Sequence, residues 1–547
     1  MVEIKEANAI YKDIRRVKLR ICLIYPNEYR AGISNLGIHL LYFLFNSFEG
    51  VYCERYFFDA RTPPCSIETG TPLKKFDVLA FSLQYELDFP RALRVLLDSG
   101  IPLKSSQRDF NDPIIIAGGP AVTQNPLPLS PFFDVFFIGE VEDLAEELIT
   151  ALQECREESR SKRRRYLKPL LDVPGVYIPL LKEQTVLRRV FVKNLDSAFY
   201  PTRQIMPLED IEPVFGKAFL LEIGRGCGWG CRFCLSGFIY RPPRFRSFRK
   251  IAQILSSARS VNPRFEKVVT ISLAATDHPD LVSIINLVVD SGFKVSIPSI
   301  RISNLTEDLA EALRKGGQRS LTLAPEVATE DLARRLNKKI YPEDVRESAL
   351  KAFKSGFGKL KFYFILGLPY ETKSDVQSIG KLLEDVLSIG FHLITVTVTP
   401  FIPKPHTPLQ WVGQEDLKSI LRKKRVLLKS VRHKERIRVQ FLNPKHARIE
   451  AALARGDERL SEVIFEVAAR GDFGLGSWHR AFRNLNIDIR DYANRTFSTE
   501  EELPWEIIDI GVNIEYLKRE YERYKEGVES PSCYEECNDL CCLCKRC

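Results

Sequence analysis

The chain has 547 residues, of which 45% are hydrophobic and 28% charged, and its net charge is +9. That length accommodates two to four domains, and the balance is that of globular protein and excludes a disordered one. No apolar run approaches the ~18 residues of a membrane span, and the start MVEIKEANAIYKDIRR is too charged for a signal peptide, so the expected compartment is the cytoplasm.

Residues 17–26 read as a buried strand, 35–45 as an amphipathic helix and 51–58 as a second strand. Residues 76–85 read as a third strand followed by a helix over 89–99, then 112–122 and 132–140 as two more strands and 141–155 as a helix. Short apolar runs alternating with helical periodicity predict a doubly wound parallel sheet over 1–155. Such sheets take ligands at the carboxyl ends of their strands. The loops containing Ser34 and Asn35 and containing Gly118 and Gly119 stand at two such ends.

Residues 156–216 read as a basic linker and a small β-rich connector. From 217 a second alternating series runs to 412, with strands at 218–224, 267–274, 294–300, 320–325, 360–369 and 393–401. Six strand–helix units predict a partial, open (βα)6 barrel with its site at the carboxyl ends of the strands. Residues 413–530 read as a mostly helical region and 531–547 as a cysteine-rich tail.

Nine of the 13 cysteines fall in two clusters, 227–234 and 533–547, a distribution that fits metal binding in a reducing compartment rather than a disulfide framework. Cys227, Cys231 and Cys234 form a C-x3-C-x2-C run in a glycine-rich loop after a strand. A 4Fe–4S cluster takes four ligands, so three thiolates leave one iron open to a substrate or cofactor. A zinc knuckle is the plainer reading, but no second pair of Cys or His follows closely. The tail spells C-x3-C-x3-C-C-x-C-x2-C, and Cys533, Cys537, Cys541 and Cys544 are its candidate ligands for a second Fe–S cluster or zinc. Basic runs at 160–165, 241–250 and 422–425 admit an anionic partner such as RNA, although each also reads as a solvated face.

Further pieces stand at the barrel's strand ends. Ser299 and Arg301 follow the third strand, Glu326 closes LTLAPE, and Gly367-Leu368-Pro369 opens the turn after the fifth. Arg301 suits a carboxylate and Glu326 an ammonium or ribose hydroxyls, while Gly367 lets backbone approach a flat ring. Lys404 and His406 in the proline-rigid PKPHTP read mainly as loop-fixing residues.

These pieces, in this order, resemble the radical SAM superfamily, and in particular a branch with an amino-terminal cobalamin-binding-like domain. The likeness rests on YRAGISNLGIHLLY, IAGGPAVTQNPLP, GCRFCLSGFIYRP, LTLAPE, FILGLPYET and FIPKPHTPLQW, with ARGDERLSEVI, ANRTF and LPWEIIDIGV in the tail region. It implies that the three-cysteine cluster binds S-adenosylmethionine and cleaves it reductively to methionine and a 5′-deoxyadenosyl radical, with a flavodoxin- or ferredoxin-type reductant. By motif, Phe233 lies near the adenine; Ser299, Arg301 and Glu326 meet the methionine or ribose end; and Gly367, Leu368 and Pro369 meet the adenine. Two departures stand out. Where the family places a glycine-glycine-glutamate element, this chain has Leu273-Ala-Ala-Thr-Asp-His278, so the amine contact is assigned to Ala274 and Thr276. The cobalamin signature D-x-H-x-x-G is also absent, and His39, the only histidine before 156, lies in a predicted helix. Cobalamin at Ser34, Asn35, Gly118 and Gly119 and a ligand-free first domain both remain open.

The expected function is therefore modification of an unreactive C–H position, by cobalamin-dependent methyl transfer, or by sulfur insertion or radical rearrangement with an auxiliary cluster. A non-catalytic, metal-dependent RNA-binding or assembly factor is the rival of another class. The substrate, whether RNA, protein or metabolite, is not legible.

Overall fold

The computed structural model describes residues 4–157, 163–181, 186–208, 211–262 and 265–536. The chain divides into two compact units, Met1–Lys217 with Leu453–Asp488 and Glu502–Ile510, and Ala218–Ala452 with Ile489–Glu501 and Gly511–Cys547. The helical region expected at 413–530 is thus shared between them. Helix Leu460–Arg470, for example, packs on helix Phe89–Asp98 of the first unit. That pairing is long-range and leaves no mark in local periodicity.

The first unit is built on six strands, β1 (Leu19–Tyr25), β2 (Val51–Phe57), β3 (Val78–Ser82), β4 (Ile114–Gly118), β5 (Val135–Phe137) and β6 (Val176–Tyr177). Their order is β2-β1-β3-β4-β5-β6, parallel except for the last pair. Every residue of β2 is buried, as expected of a strand covered on both faces. The chain reverses its direction of winding between β1 and β3, the place where doubly wound sheets leave a crevice. Asn35 caps helix Leu36–Ser47 by accepting from the Gly37 N–H. Beneath the sheet, fully buried Asp134 receives both Arg108 (3.0 Å) and Arg163 (2.6 Å), and these guanidinium groups hold its carboxyl below the usual range against the upward push of burial.

The second unit carries β7 (Ala218–Glu222), β8 (Lys267–Ile271), β9 (Lys294–Ser296), β10 (Leu321–Glu326), β11 (Lys359–Leu366), β12 (Leu393–Pro400) and β13 (Ile437–Phe441). All their pairings are parallel, and a bridge between Ile300 and Leu323 joins the three-stranded run to the four-stranded one. The result is the partial barrel expected, with β13 as a seventh strand beyond residue 412. Burial alternates along β12, where Ile394, Val396 and Val398 are buried. Helix Lys373–Ser388 packs on β12 and helix Leu417–Ser430 on β11.

Candidate functional site

The three-cysteine loop leaves the carboxyl end of β7. Its base is closed by a two-residue antiparallel ladder, Gly224 to Phe245 and Arg225 to Arg244. Buried Glu222 anchors that base, receiving Arg225 at 2.9 Å and Arg246 at 2.7 Å. Gly226 adopts φ +84°, and a Cβ there would stand 2.3 Å from the Tyr240 carbonyl oxygen, so only glycine lets the loop cross itself. The Cys234 N–H donates to the Cys231 carbonyl at 3.1 Å, and the Gly237 N–H to the Cys234 carbonyl at 3.1 Å, which opens the short helix Ser236–Ile239.

The chemistry of these donors suits a cluster. Burial, then Cys231, pushes the Cys227 thiol up to about 12, and the same two causes push Cys234 up to about 11. Such thiols do not ionise unaided; iron bonded to sulfur supplies the charge that keeps them as thiolates. Among the described residues no three His, Cys, Asp or Glu side chains group around a single metal ion. A cubane does not ask for that, since each thiolate meets a different iron. The donors therefore fit a 4Fe–4S cluster.

Phe233 packs with Val327, Leu336, Ile365 and Leu368 in one apolar cluster, so two residues expected at the adenine share a wall. Gly367 has φ +85°, and its N–H donates to Glu371 Oε2 at 2.8 Å. Glu371 is paired with Lys423 at 2.8 Å; burial nonetheless raises its carboxyl to about 7. The Pro369 carbonyl accepts from the Tyr524 hydroxyl at 2.7 Å.

Other expected residues have different partners. The Arg301 guanidinium lies 3.5 Å over the Trp229 ring, and donates to the Lys338 carbonyl (2.7 Å) and Ser303 Oγ (3.1 Å). Ser299 is exposed at the strand end. Ala274 is buried, and Thr276 Oγ1 accepts from the Arg301 N–H at 3.2 Å. In the segment that replaces glycine-glycine-glutamate, Asp277 accepts from Trp229 Nε1 at 2.6 Å and Asn304 Nδ2 at 2.7 Å, and it also bonds Tyr534. Glu326 stands at φ +69° and meets Lys338 Nζ at 3.2 Å; Lys338 lies 5.9 Å from the Phe233 ring. Trp229, Asp277 and Lys338 are neighbours of the loop and its strand ends that sequence reasoning missed. Trp229, set between two of the cysteines, was the one signal available.

The tail begins at this loop. The Cys533 N–H donates to the Gly228 carbonyl at 2.8 Å. Cys537, Cys541 and Cys544 lie outside the described residues. Lys404 is paired with Glu450 at 2.8 Å, which fits a loop-fixing role. Members of each basic run are spent inside the fold: Arg163 on Asp134, Arg246 on Glu222 and Lys423 on Glu371. No described helix is long and apolar enough to cross a membrane.

In the first unit, Gly119 has φ +108°, and a Cβ there would stand 2.5 Å from the Leu83 carbonyl oxygen. A Cβ on Gly118 would touch only the Phe137 carbonyl, at 3.8 Å, so the end of β4 has room beside it. Ser34 Oγ donates to the Arg30 carbonyl at 2.9 Å and accepts from the Val214 N–H at 2.8 Å. Both nitrogens of buried His39 are engaged, Nε2 with the Ile33 carbonyl at 2.8 Å and Nδ1 accepting from the Ile205 N–H at 3.2 Å. Burial pushes its pKa down to about 4, so it is a neutral structural residue.

Residues 37–179 match the family model for radical SAM proteins, N-terminal, and residues 221–383 match that for the radical SAM superfamily. The uncharacterized protein MJ0966 of Methanocaldococcus jannaschii is 34% identical over 82% of this chain and 91% of its own length. The chain belongs to the radical SAM superfamily. A Pyrococcus horikoshii protein described as an uncharacterized methyltransferase, PH0819, is 24% identical over 52% of this chain and 61% of its own. Among solved structures, the radical S-adenosylmethionine methyltransferase TsrM from Kitasatospora setae shares the fold. Its TM-scores are 0.53 and 0.51 in two structures, at 11% and 10% identity; the first covers 85% of this chain and 98% of TsrM. As a radical SAM protein the chain is an enzyme, with a 4Fe–4S cluster and S-adenosylmethionine as its cofactors.

Proposed function

We propose that this enzyme is a cobalamin-dependent radical SAM methyltransferase acting on an unreactive carbon. The observation that carries the reading is the fold shared with TsrM along nearly all of that protein, which is described with cobalamin and a 4Fe–4S cluster bound. The methyltransferase description of the P. horikoshii relative supports it further. Cobalamin, when bound, supplies a methyl group on cobalt that can be handed to carbon. In this reading it lies along the carboxyl ends of β1, β3 and β4, where Gly118 and Gly119 keep side chains out of its way and Ser34 and Asn35 border the site. His39, with both nitrogens engaged within the fold, would not be available to ligate cobalt.

On the barrel side, Cys227, Cys231 and Cys234 would hold the 4Fe–4S cluster, and Phe233 with Leu368 would keep water from the adenine. The electron comes from a donor of the flavodoxin or ferredoxin type. The test is protein made with cobalamin supplied and purified without oxygen. A stoichiometric cobalt content and transfer of the labelled S-adenosylmethionine methyl group to a product are expected. Protein that cleaves S-adenosylmethionine yet holds no cobalt would contradict the reading.

A second reading, sulfur insertion or radical rearrangement with an auxiliary centre, is favoured by one observation, the seat of Cys533 beside the cluster loop. In that reading Cys533, Cys537, Cys541 and Cys544 would bind an Fe–S cluster or zinc. A Cys541→Ser/Cys544→Ser variant should then lose the extra metal and keep the first cluster, and full retention would refute it.

A further inference from the structure

Strands β10 to β13 form one parallel sheet with two unlike faces. Leu360 and Phe362 of β11 and Ile394 and Val396 of β12 are buried on the face that helices Lys373–Ser388 and Leu417–Ser430 cover. In a closed barrel the opposite, inner face is filled by bulky apolar side chains. Here it is polar. The register sets Thr322, Lys361, Thr395 and Arg438 side by side on four adjacent strands, a single rung that alternates hydroxyl and cation. The next rung toward the carboxyl ends is Tyr363, Thr397 and Gln440.

The rung's donors are unspent. The Lys361 ammonium stands 4.8 Å from the Tyr363 ring, and among the described residues none of these seven side chains has a hydrogen-bond or ion-pair partner in the protein. Neighbouring strands lie about 4.8 Å apart, so the Cα atoms of Lys361 and Arg438 are about 10 Å apart with Thr395 between them. Two like charges so placed, with no counter-ion of the protein's own, repel each other, and an anion between them removes that cost. A solvated rim is the ordinary home of such cations, and exposed Lys359 at the start of β11 is one. Lys361 lies one pleat further in, partly buried and held against Tyr363. Arg438 is exposed on β13, the edge strand, where the open side of the sheet admits a ligand.

We propose that the rung of Thr322, Lys361, Thr395 and Arg438 binds an oxyanion, a carboxylate or a phosphate, carried by the substrate. Lysine and arginine supply charged donors to its oxygens, and the threonine hydroxyls supply neutral ones. The rung lies four residues, about 13 Å, before Ile365 and Thr399 at the carboxyl ends of β11 and β12. The oxyanion is therefore at the end of an elongated substrate remote from the reacting carbon, and Tyr363, Thr397 and Gln440 line the span between. Binding a remote, non-reacting group holds the carbon in place for the radical. This inference rests on the reading of the barrel as the place where carbon is modified, and not on cobalamin or methyl transfer.

The test is calorimetric titration of cluster-loaded protein, without oxygen, S-adenosylmethionine or reductant, with inorganic phosphate and separately with glutarate. Saturable binding of at least one probe is expected, and the tighter of the two assigns the substrate's oxyanion as phosphate or carboxylate. Lys361→Met and Arg438→Met should each weaken that probe by about tenfold, the scale of a charged hydrogen bond, and Thr395→Val by about threefold. Arg438→Lys should recover part of the loss. Lys418→Met, which removes an exposed cation of helix Leu417–Ser430, should leave binding unchanged. Iron content and far-ultraviolet circular dichroism are recorded for each variant, and should one of the two methionine variants fail to fold, the other decides. No saturable binding of either probe, or binding that Lys361→Met and Arg438→Met both leave unchanged, would overturn the assignment. Because nothing is cleaved or methylated in this assay, its failure is distinct from failure of the methyltransferase reading.

Discussion

The N–H of Cys533 donates to the carbonyl oxygen of Gly228, the residue after the first cluster cysteine, at 2.8 Å. Around that bond the tail is fastened at several points. The Ser530 N–H donates to Asn337 Oδ1 at 2.9 Å, the Tyr534 ring stands edge-on to Trp229 at 5.7 Å, and Lys339 pairs with Glu535 at 2.7 Å. Buried Arg232, between the second and third cysteines, reaches Glu520 at 3.0 Å and the Val528 carbonyl at 2.8 Å. The cluster loop is thus supported by residues far later in the chain.

Gly228→Ala should disturb this seat. A Cβ there would meet the Tyr534 ring at 2.9 Å and Cys533 Cβ at 3.3 Å. Overpacking of this kind costs about 1–3 kcal/mol, read as a lowered Tm. Placed on a Tyr534→Ala background, the same substitution should cost much less, because the two residues share one contact.

Asp134→Ala should destabilise the first unit by about 3–5 kcal/mol, since it leaves Arg108 and Arg163 buried without their counter-ion. Asp13→Ala, which breaks the exposed, solvent-screened pair with Arg15, should leave the denaturant midpoint nearly unchanged. Denaturant midpoints of the two variants measure the contrast.

Stability should also fall with pH through one identified carboxyl. Glu371 is raised from 4.5 to about 7 in the folded state by burial, against the pull of Lys423. Its contribution is fully present below pH 4.5 and is lost as pH rises through about 7. Between those two values the loss is on the order of 1.4 kcal/mol for each step of one in pH. Glu371→Gln should flatten the Tm-against-pH curve over that window. It should also loosen the Gly367 turn, because Glu371 accepts from the Gly367 N–H.

Cys231→Ala should abolish the cluster while the first unit stays folded. Iron content and the visible absorbance of protein purified without oxygen should fall together, with far-ultraviolet circular dichroism little changed.

The strands of both sheets were legible because they are short apolar or alternating runs set between helical periods, as VLAFS and LITVTVTP are. The cysteine loop was legible from spacing alone. Residues whose roles arise from long-range contacts were not. Lys338 belongs to no motif and becomes notable only through Glu326, and Asp277 faces Trp229 because the loop folds back on the end of β8. Arg301, expected to meet a ligand carboxylate, lies flat on Trp229, a stacking partner that the linear motif does not reveal. The division of 413–530 between two units was hidden for the same reason, as helical periodicity records which face is apolar and not what covers it.

The central claim is that Cys227, Cys231 and Cys234 hold a 4Fe–4S cluster whose open iron takes S-adenosylmethionine. Electron paramagnetic resonance of dithionite-reduced protein, with and without S-adenosylmethionine, tests it most directly. A cluster signal that shifts when S-adenosylmethionine is added, and that is missing from Cys231→Ala, is the result predicted. The absence of any signal that S-adenosylmethionine shifts, or an S-adenosylmethionine-responsive signal that survives in Cys231→Ala, would contradict it.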